Sequence, residues 1–201
     1  MLAARDTGVA GDVSAETLII KAAVAVMSEH GYHGTSVRDI ADRADLSPAS
    51  LYNHFASKQQ ILVAIMERGI DELLRRTREA LDAVPEDDPA GRLRAIVEVH
   101  VLYHLEDQRG TQLGTSELRA LEEPVREAHI AKRLRHQRIF ESVVEDGVAR
   151  GVFGTPYPAD AGRAIVTMCT AVATWYRADG PLTREEICTR YQELALAAAG
   201  A

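Results

Sequence analysis

The stretch Thr35 to Lys58, TSVRDIADRADLSPASLYNHFASK, sets two short amphipathic runs on either side of a three-residue break. A cluster of Tyr, His and Phe follows them. In the first run Val37, Ile40 and Ala41 share one helical face, and Thr35 or Ser36 supplies the N-cap. Asp45-Leu46-Ser47 forms the break. Ser47 then caps a helix whose first residue is Pro48, a position where a missing N–H costs nothing. Helix, tight turn and helix within about 20 residues is the helix-turn-helix arrangement, in which the second helix enters the DNA major groove.

Helical periodicity dominates the remaining sequence and no alternating strand pattern interrupts it, so the expected fold class is all-α. Ser14 caps a first helix with Leu18, Ile19, Ala22, Ala23, Val26 and Met27 on one face, and Gly31 closes it. Ser57 caps a fourth helix, running to about residue 80, with Ile61, Leu62, Ile65, Ile70 and Leu73 apolar. After the breaker VPEDDP at 84–89, helices are expected near 90–106, 111–121, 124–150, 158–178 and 183–199. Thr183 with Glu186 matches a capping box. The expected organisation is a loose arm over 1–13, a three-helix head over 14–57 and a larger helical body over 58–201.

The small residues Ala49 and Ser50 let the second helix of the motif approach a groove closely, while Leu51 and Phe55, four apart, anchor its inner face. Tyr52 and His54 then suit phosphate oxygens, and Lys58 adds a charge at the next helix start. Ser47, Ser50, Asn53 and Arg38 are the side chains able to read bases, with Ser36 beside them on the preceding helix. From Ser36 to Gln60 the three basic residues Arg38, Arg43 and Lys58 are balanced by Asp39, Asp42 and Asp45. A neutral head gains little from counterion release, so two heads have to act together. The chain's net charge of −7 argues equally against an indiscriminate polyanion binder.

The aromatic ending and its spacing carry a resemblance. GYHGTSVRDIADRADLSPASLYNHFASKQQIL resembles the N-terminal domain of TetR-family transcriptional regulators. The match rests on Gly31, Tyr32, Thr35, Val37, Ile40-Ala41, Ala44, Ser47, Leu51-Tyr52, His54-Phe55, Lys58 and Leu62. The resemblance implies a homodimeric repressor, released from a palindromic operator by a small molecule, with 58–201 as the ligand-binding and dimerisation domain. It implies a dimer interface on the last two helices, at Ile165, Cys169, Val172, Tyr176, Ile187, Tyr191 and Leu194. It also implies a ligand pocket among the central helices. Val99, Tyr103, Phe140, Met168 and Trp175 are the wall candidates, with His100, His104, Leu134 and Thr174 behind them, and each also serves as plain core.

WYRADGPLTREEI (175–187) is similar to a subgroup that responds to acyl-CoA thioesters. Cations for CoA phosphates are available in KRLRHQR (132–138) at Lys132, Arg133 or Arg135, which otherwise form a solvated helix face. The alternative is a DNA-binding regulator or activator without an effector. A solid body favours that alternative; a cavity of a few hundred Å³ opposes it.

Other classes find little support. No P-loop, GxSxG or paired-cysteine motif is present, so neither an enzyme nor a cofactor is expected. His100 and His104 have the i, i+4 spacing of metal ligands, but Val101, Leu102 and Tyr103 between them supply no Glu, and no metal is assigned. Cys169 and Cys188 fall in apolar helical patterns and fit free thiols in a reducing cytoplasm. No apolar run reaches the roughly 18 residues that span a bilayer, and MLAARDTGVAGDV has no hydrophobic signal core.

Overall fold

The computed structural model describes residues 14–201, and the arm expected over 1–13 lies outside them. Among the described residues the chain is all-α, with no strand. The head comprises α1 (Ala15–Gly34), α2 (Val37–Arg43) and α3 (Pro48–Tyr52). Next come α4 (Lys58–Asp82), α5 (Pro89–Glu106), α6 (Gln108–Ser116) and a single 3-10 turn (Leu118–Ala120). The long α7 (Val125–Ala149), α8 (Pro158–Trp175) and α9 (Arg184–Ala199) complete the body.

Local chemistry sets most of the boundaries. Ser14, Ser47, Ser57 and Thr183 each accept a backbone N–H from the first turn of the helix they precede. Ser36 does the same for α2, and Asp39 returns a bond to the Ser36 N–H. Thr35 is not the cap; its hydroxyl donates back to the Gly31 carbonyl at 2.8 Å. Gly31 does break α1, at φ 71°, yet a last helical turn continues to Gly34. The sixth helix begins earlier than expected, at Gln108, because the Asp107 carboxylate accepts the Gly110 N–H at 3.0 Å. The eighth ends at Trp175, where Tyr176 turns extended.

Two apolar cores follow. One joins Ile19, Met27, Ile40, Leu51, Ile61 and Leu62, and takes in Leu113 and Leu121 from beyond α5. The other joins Leu93, Ile96, Val97, Phe140, Ile165, Cys169 and Ile187. Helices as short as α2 and α3 are unstable alone, so the head depends on this burial. Fully buried Leu51 is its pin, and truncation to Ala costs about 2–5 kcal/mol. The α4 helix belongs to both parts: its first turns enter the head core, and its later turns pack on α5 and α7. Gly162 lets α8 lie against α7, since a Cβ there would come 2.6 Å from the Glu141 Cα. No described helix is long and apolar enough to cross a membrane.

Candidate DNA-reading head and ligand cavity

In the head, α2 and α3 are joined through Asp45, whose φ of 56° makes the tight turn that Asp tolerates better than most side chains. Leu51 and Phe55 point inward and are buried. Ala49, Asn53 and His54 are exposed, Ser50 half so, and Tyr52 is 52% exposed. The outer side of α3 is therefore uncovered by its own chain. Arg38 is exposed on the neighbouring helix and makes no ion pair among the described residues. Ser36 and Ser47 have their oxygens engaged as caps, leaving a hydroxyl proton each for an outside acceptor.

Lys58 departs from the expected role. Its ammonium turns inward and donates to the carbonyls of Tyr32 at 2.7 Å and Thr35 at 2.6 Å. Two of its three donors are spent there, although the Tyr32 carbonyl also accepts the Thr35 N–H at 3.3 Å.

In the body, a cavity of about 900 Å³ lies between α4, α5, α6, α7 and α8. Its apolar wall includes Ile65, Met66, Ile70, Leu73 and Val166. Leu134 and Ile130, both exposed, line it where it meets solvent. Of the expected wall residues, Tyr103 lines it, and its hydroxyl donates to the Gly69 carbonyl at 3.0 Å. Val99, Phe140, Met168 and Trp175 do not line it. Phe140 is buried behind the wall, its ring centroid 5.4 Å from that of His100. Trp175 stacks on Tyr191 at 6.3 Å. His100, His104, Leu134 and Thr174 are in the lining.

The polar lining includes four histidines and five threonines. His100, His104 and His136 line the cavity together, with His100 4.3 Å from His104 and 5.1 Å from His136 between ring centroids. Burial pushes His104 down to about 3 and His136 to about 4. Burial, then the neighbouring His104 and His136, lowers His100 well below the ordinary range. All three are neutral at pH 7. Each bonds a threonine hydroxyl: His100 to Thr170 at 2.9 Å, His104 to Thr111 at 2.8 Å, His136 to Thr77 at 3.0 Å. Among the described residues no group of three His, Cys, Asp or Glu is arranged to hold a metal ion. Of the basic run, Arg133 lines the cavity, whereas Lys132 is held by Glu67 and Asp71 on α4.

The interface expectation needs correction. Ile165, Cys169, Val172 and Ile187 are at most 1% exposed, inside their own chain's core. An apolar stripe that faces α5 and α9 is not available to a second copy. Tyr176 and Tyr191 also pack against that core, and Leu194 alone of the seven stands out, 51% exposed. The thiols of Cys169 and Cys188 are buried and free, pushed up by that burial to about 12 and about 11.

A helix-turn-helix head on a helical body with its own ligand-sized cavity is the build of a one-component DNA-binding regulator. Residues 19–65 match the family model described as bacterial regulatory proteins, tetR family, and residues 86–199 match the tetracyclin repressor-like C-terminal domain. The HTH-type transcriptional repressor KstR2 of Mycobacterium tuberculosis is 30% identical over 202 residues, covering 94% of each chain. A bacterial regulatory protein in the tetR family from Rhodococcus RHA1 superimposes with a TM-score of 0.86 at 28% identity, over 94% of this chain and 98% of that one. The ketosteroid transcriptional regulator KstR2 of Mycobacterium tuberculosis gives a TM-score of 0.84 at 26% identity, over 96% and 100%. The chain belongs to the TetR family of helix-turn-helix transcriptional regulators.

Proposed function

We propose that this protein is a homodimeric repressor, acting in the bacterial cytoplasm, that a small molecule releases from a palindromic operator. The observation that carries the reading is the 900 Å³ cavity against α4, the helix whose first turns belong to the head. A body meant only to dimerise has no use for such a space. In this reading residues 14–57 are the DNA-binding unit and 58–201 the ligand-binding and dimerisation unit.

Tyr52 and His54 contact phosphates, and Ala49, Ser50 and Asn53 face base edges, with Ser36, Arg38 and Ser47 beside them. Lys58 has one donor left for a phosphate. Two heads about 34–36 Å apart span successive major grooves. A ligand touching Ile65, Met66, Gly69 and Ile70 shifts α4 and with it the head. The shift is set by the ligand's preference between the two states, not by its tightness.

The effector has a large apolar part, as the lining requires. An acyl-CoA thioester suits this, with its acyl group inside and a phosphate at Arg133. The test is operator affinity by fluorescence anisotropy with fatty acyl-CoAs of increasing length, the matching free acids and free CoA. Release by acyl-CoA but not by free CoA supports the reading. Release by the free acids alone removes the CoA portion. Unchanged affinity with the cavity demonstrably filled removes the effector.

A further inference from the structure

The two ends of α4 are held by different partners. Ile61, Leu62, Ile65 and Met66 belong to the head core. Toward the other end Arg76 pairs with Glu106 of α5 at 2.8 Å, and Thr77 bonds His136 of α7 at 3.0 Å. Between these regions Gly69, Ile70 and Leu73 border the cavity, and none of the three belongs to either apolar core. Over this turn the helix spans a space and has little packing to keep it straight.

Gly69 is the only glycine among the 25 residues of α4. An interior glycine weakens a helix and eases a bend, because its backbone is the least restricted. Two contacts steady the turn that holds it. On the α7 side Lys132 gathers Glu67 and Asp71, which are one helical turn apart. On the α5 side the Tyr103 hydroxyl donates to the Gly69 carbonyl at 3.0 Å. That approach depends on the glycine, since a Cβ at 69 would stand 3.2 Å from the hydroxyl and crowd it. Tyr103 and Gly69 both line the cavity, so an occupant that fills it meets the bond itself.

We propose that α4 bends at Gly69 and that Tyr103 is the positioning residue that holds it straight, an occupant of the cavity turning the head by parting the bond between them. This rests on the cavity being the effector site. Lys132 keeps the α7 side in place and the Arg76–Glu106 pair keeps the body half on α5. Once the Tyr103 bond parts, the head half of α4 swings away from α5 about Gly69.

The experiment is native-state amide hydrogen exchange on the full chain, without ligand or DNA. A bend at Gly69 breaks the helical bonds from the amides of 70–73 to the carbonyls of 66–69. Tyr103→Phe keeps the ring beneath Arg76 and loses only the hydroxyl. Exchange at 70–73 is expected to rise about three- to tenfold, the change that one lost hydrogen bond implies. Head amides at 22–27 and body amides at 96–101 should keep their wild-type rates. In Tyr103→Phe/Gly69→Ala the hydroxyl that would meet the new Cβ is gone and the helix is stiffer, so exchange at 70–73 should return to the wild-type rate or below. A merely structural tyrosine would raise exchange throughout the body, and alanine at 69 would not reverse it.

Unchanged exchange at 70–73 in Tyr103→Phe, a rise spread over the whole body, or no recovery in the double variant overturns the proposal. A localised rise that recovers, in a protein whose operator affinity no fatty acyl-CoA alters, overturns the effector reading and leaves the hinge standing. Release of the operator at the same acyl-CoA concentration from the wild type and Tyr103→Phe does the reverse: the effector reading stands and Tyr103 loses its role.

Discussion

The Lys58 ammonium donates to the Tyr32 carbonyl at 2.7 Å while sitting 4.3 Å above the centroid of the Tyr32 ring. The Thr35 carbonyl takes a second bond, and the Tyr32 hydroxyl donates to Gln59 at 2.8 Å. The start of α4 is thereby tied to the end of α1, where the helix dipole favours a cation.

Lys58→Met should therefore act on stability before it acts on DNA. Losing a charged donor from two carbonyls, in a half-buried setting, is worth about 1–2 kcal/mol. The expected result is a lower thermal midpoint, with the salt dependence of operator binding little changed. A normal midpoint with a log–log salt slope shallower by about one unit would mean that Lys58 serves the phosphates instead.

Tyr52 ends α3 and Asn53 caps it, both exposed, and the two should separate cleanly in binding assays. Tyr52→Phe is expected to weaken operator and unrelated DNA alike, as loss of a proposed phosphate contact would. Asn53→Ala is expected to cost about 1–3 kcal/mol on the operator and relax the preference at one base position. Competition experiments over single-base operator variants measure both. Identical effects from the two substitutions would remove Asn53 from base reading.

How legible these features are depends on the range of the interactions involved. The caps at Ser47, Ser57 and Thr183 could be read because each involves a side chain and an amide three residues away. Lys58 could not, since its direction depends on where the end of α1 lands, 23 to 26 residues distant. The stripe Ile165, Cys169 and Val172 announces burial but not whose chain covers it. A cavity is harder still, being a place where side chains fail to meet. The signal that could have found it is the pair His129 and His136 on α7 with His100 and His104 on α5, all four of which line the cavity. Four histidines on two helices are hard to explain as ordinary core.

Those histidines make stability depend on pH. His104 at about 3 and His136 at about 4 titrate in the folded state far below the roughly 6.5 of an unfolded histidine. Between these values the unfolded chain binds more protons, so their contribution is complete above about pH 6.5 and is lost as pH falls toward 4 and then 3. Each contributes a slope of up to about 1.4 kcal/mol per pH unit. Urea midpoints measured from pH 7.5 to about 4.5 should fall accordingly, and His136→Gln should flatten the fall. A midpoint insensitive to pH across that window would show the rings to be solvated.

Gly162 tests the packing of α7 on α8. A Cβ there meets backbone, 2.6 Å from the Glu141 Cα and 2.8 Å from its nitrogen, so no side-chain rotation relieves the clash. Gly162→Ala raises helix propensity, worth up to about 1 kcal/mol, yet overpacking of about 1–3 kcal/mol should win. A lower thermal midpoint is expected. A higher one would mean that the two helices separate easily.

The proposed second copy needs an exposed apolar surface, and the large exposed apolar side chains on α8 and α9 are Trp175, 45% exposed, and Leu194, 51% exposed. Buried Ile165 and Ile187 hold the same two helices from behind, so an outward change at Leu194 should spare the fold. Leu194→Glu places a like charge on both copies of a two-fold interface, where each copy must be desolvated. If the proposed dimer uses this face, sedimentation should show a dimeric wild type and a monomeric variant, with an unchanged helical spectrum. Operator affinity should fall steeply, because one nearly neutral head gains little from phosphate neutralisation. A variant that stays dimeric and binds normally would move the interface off this face.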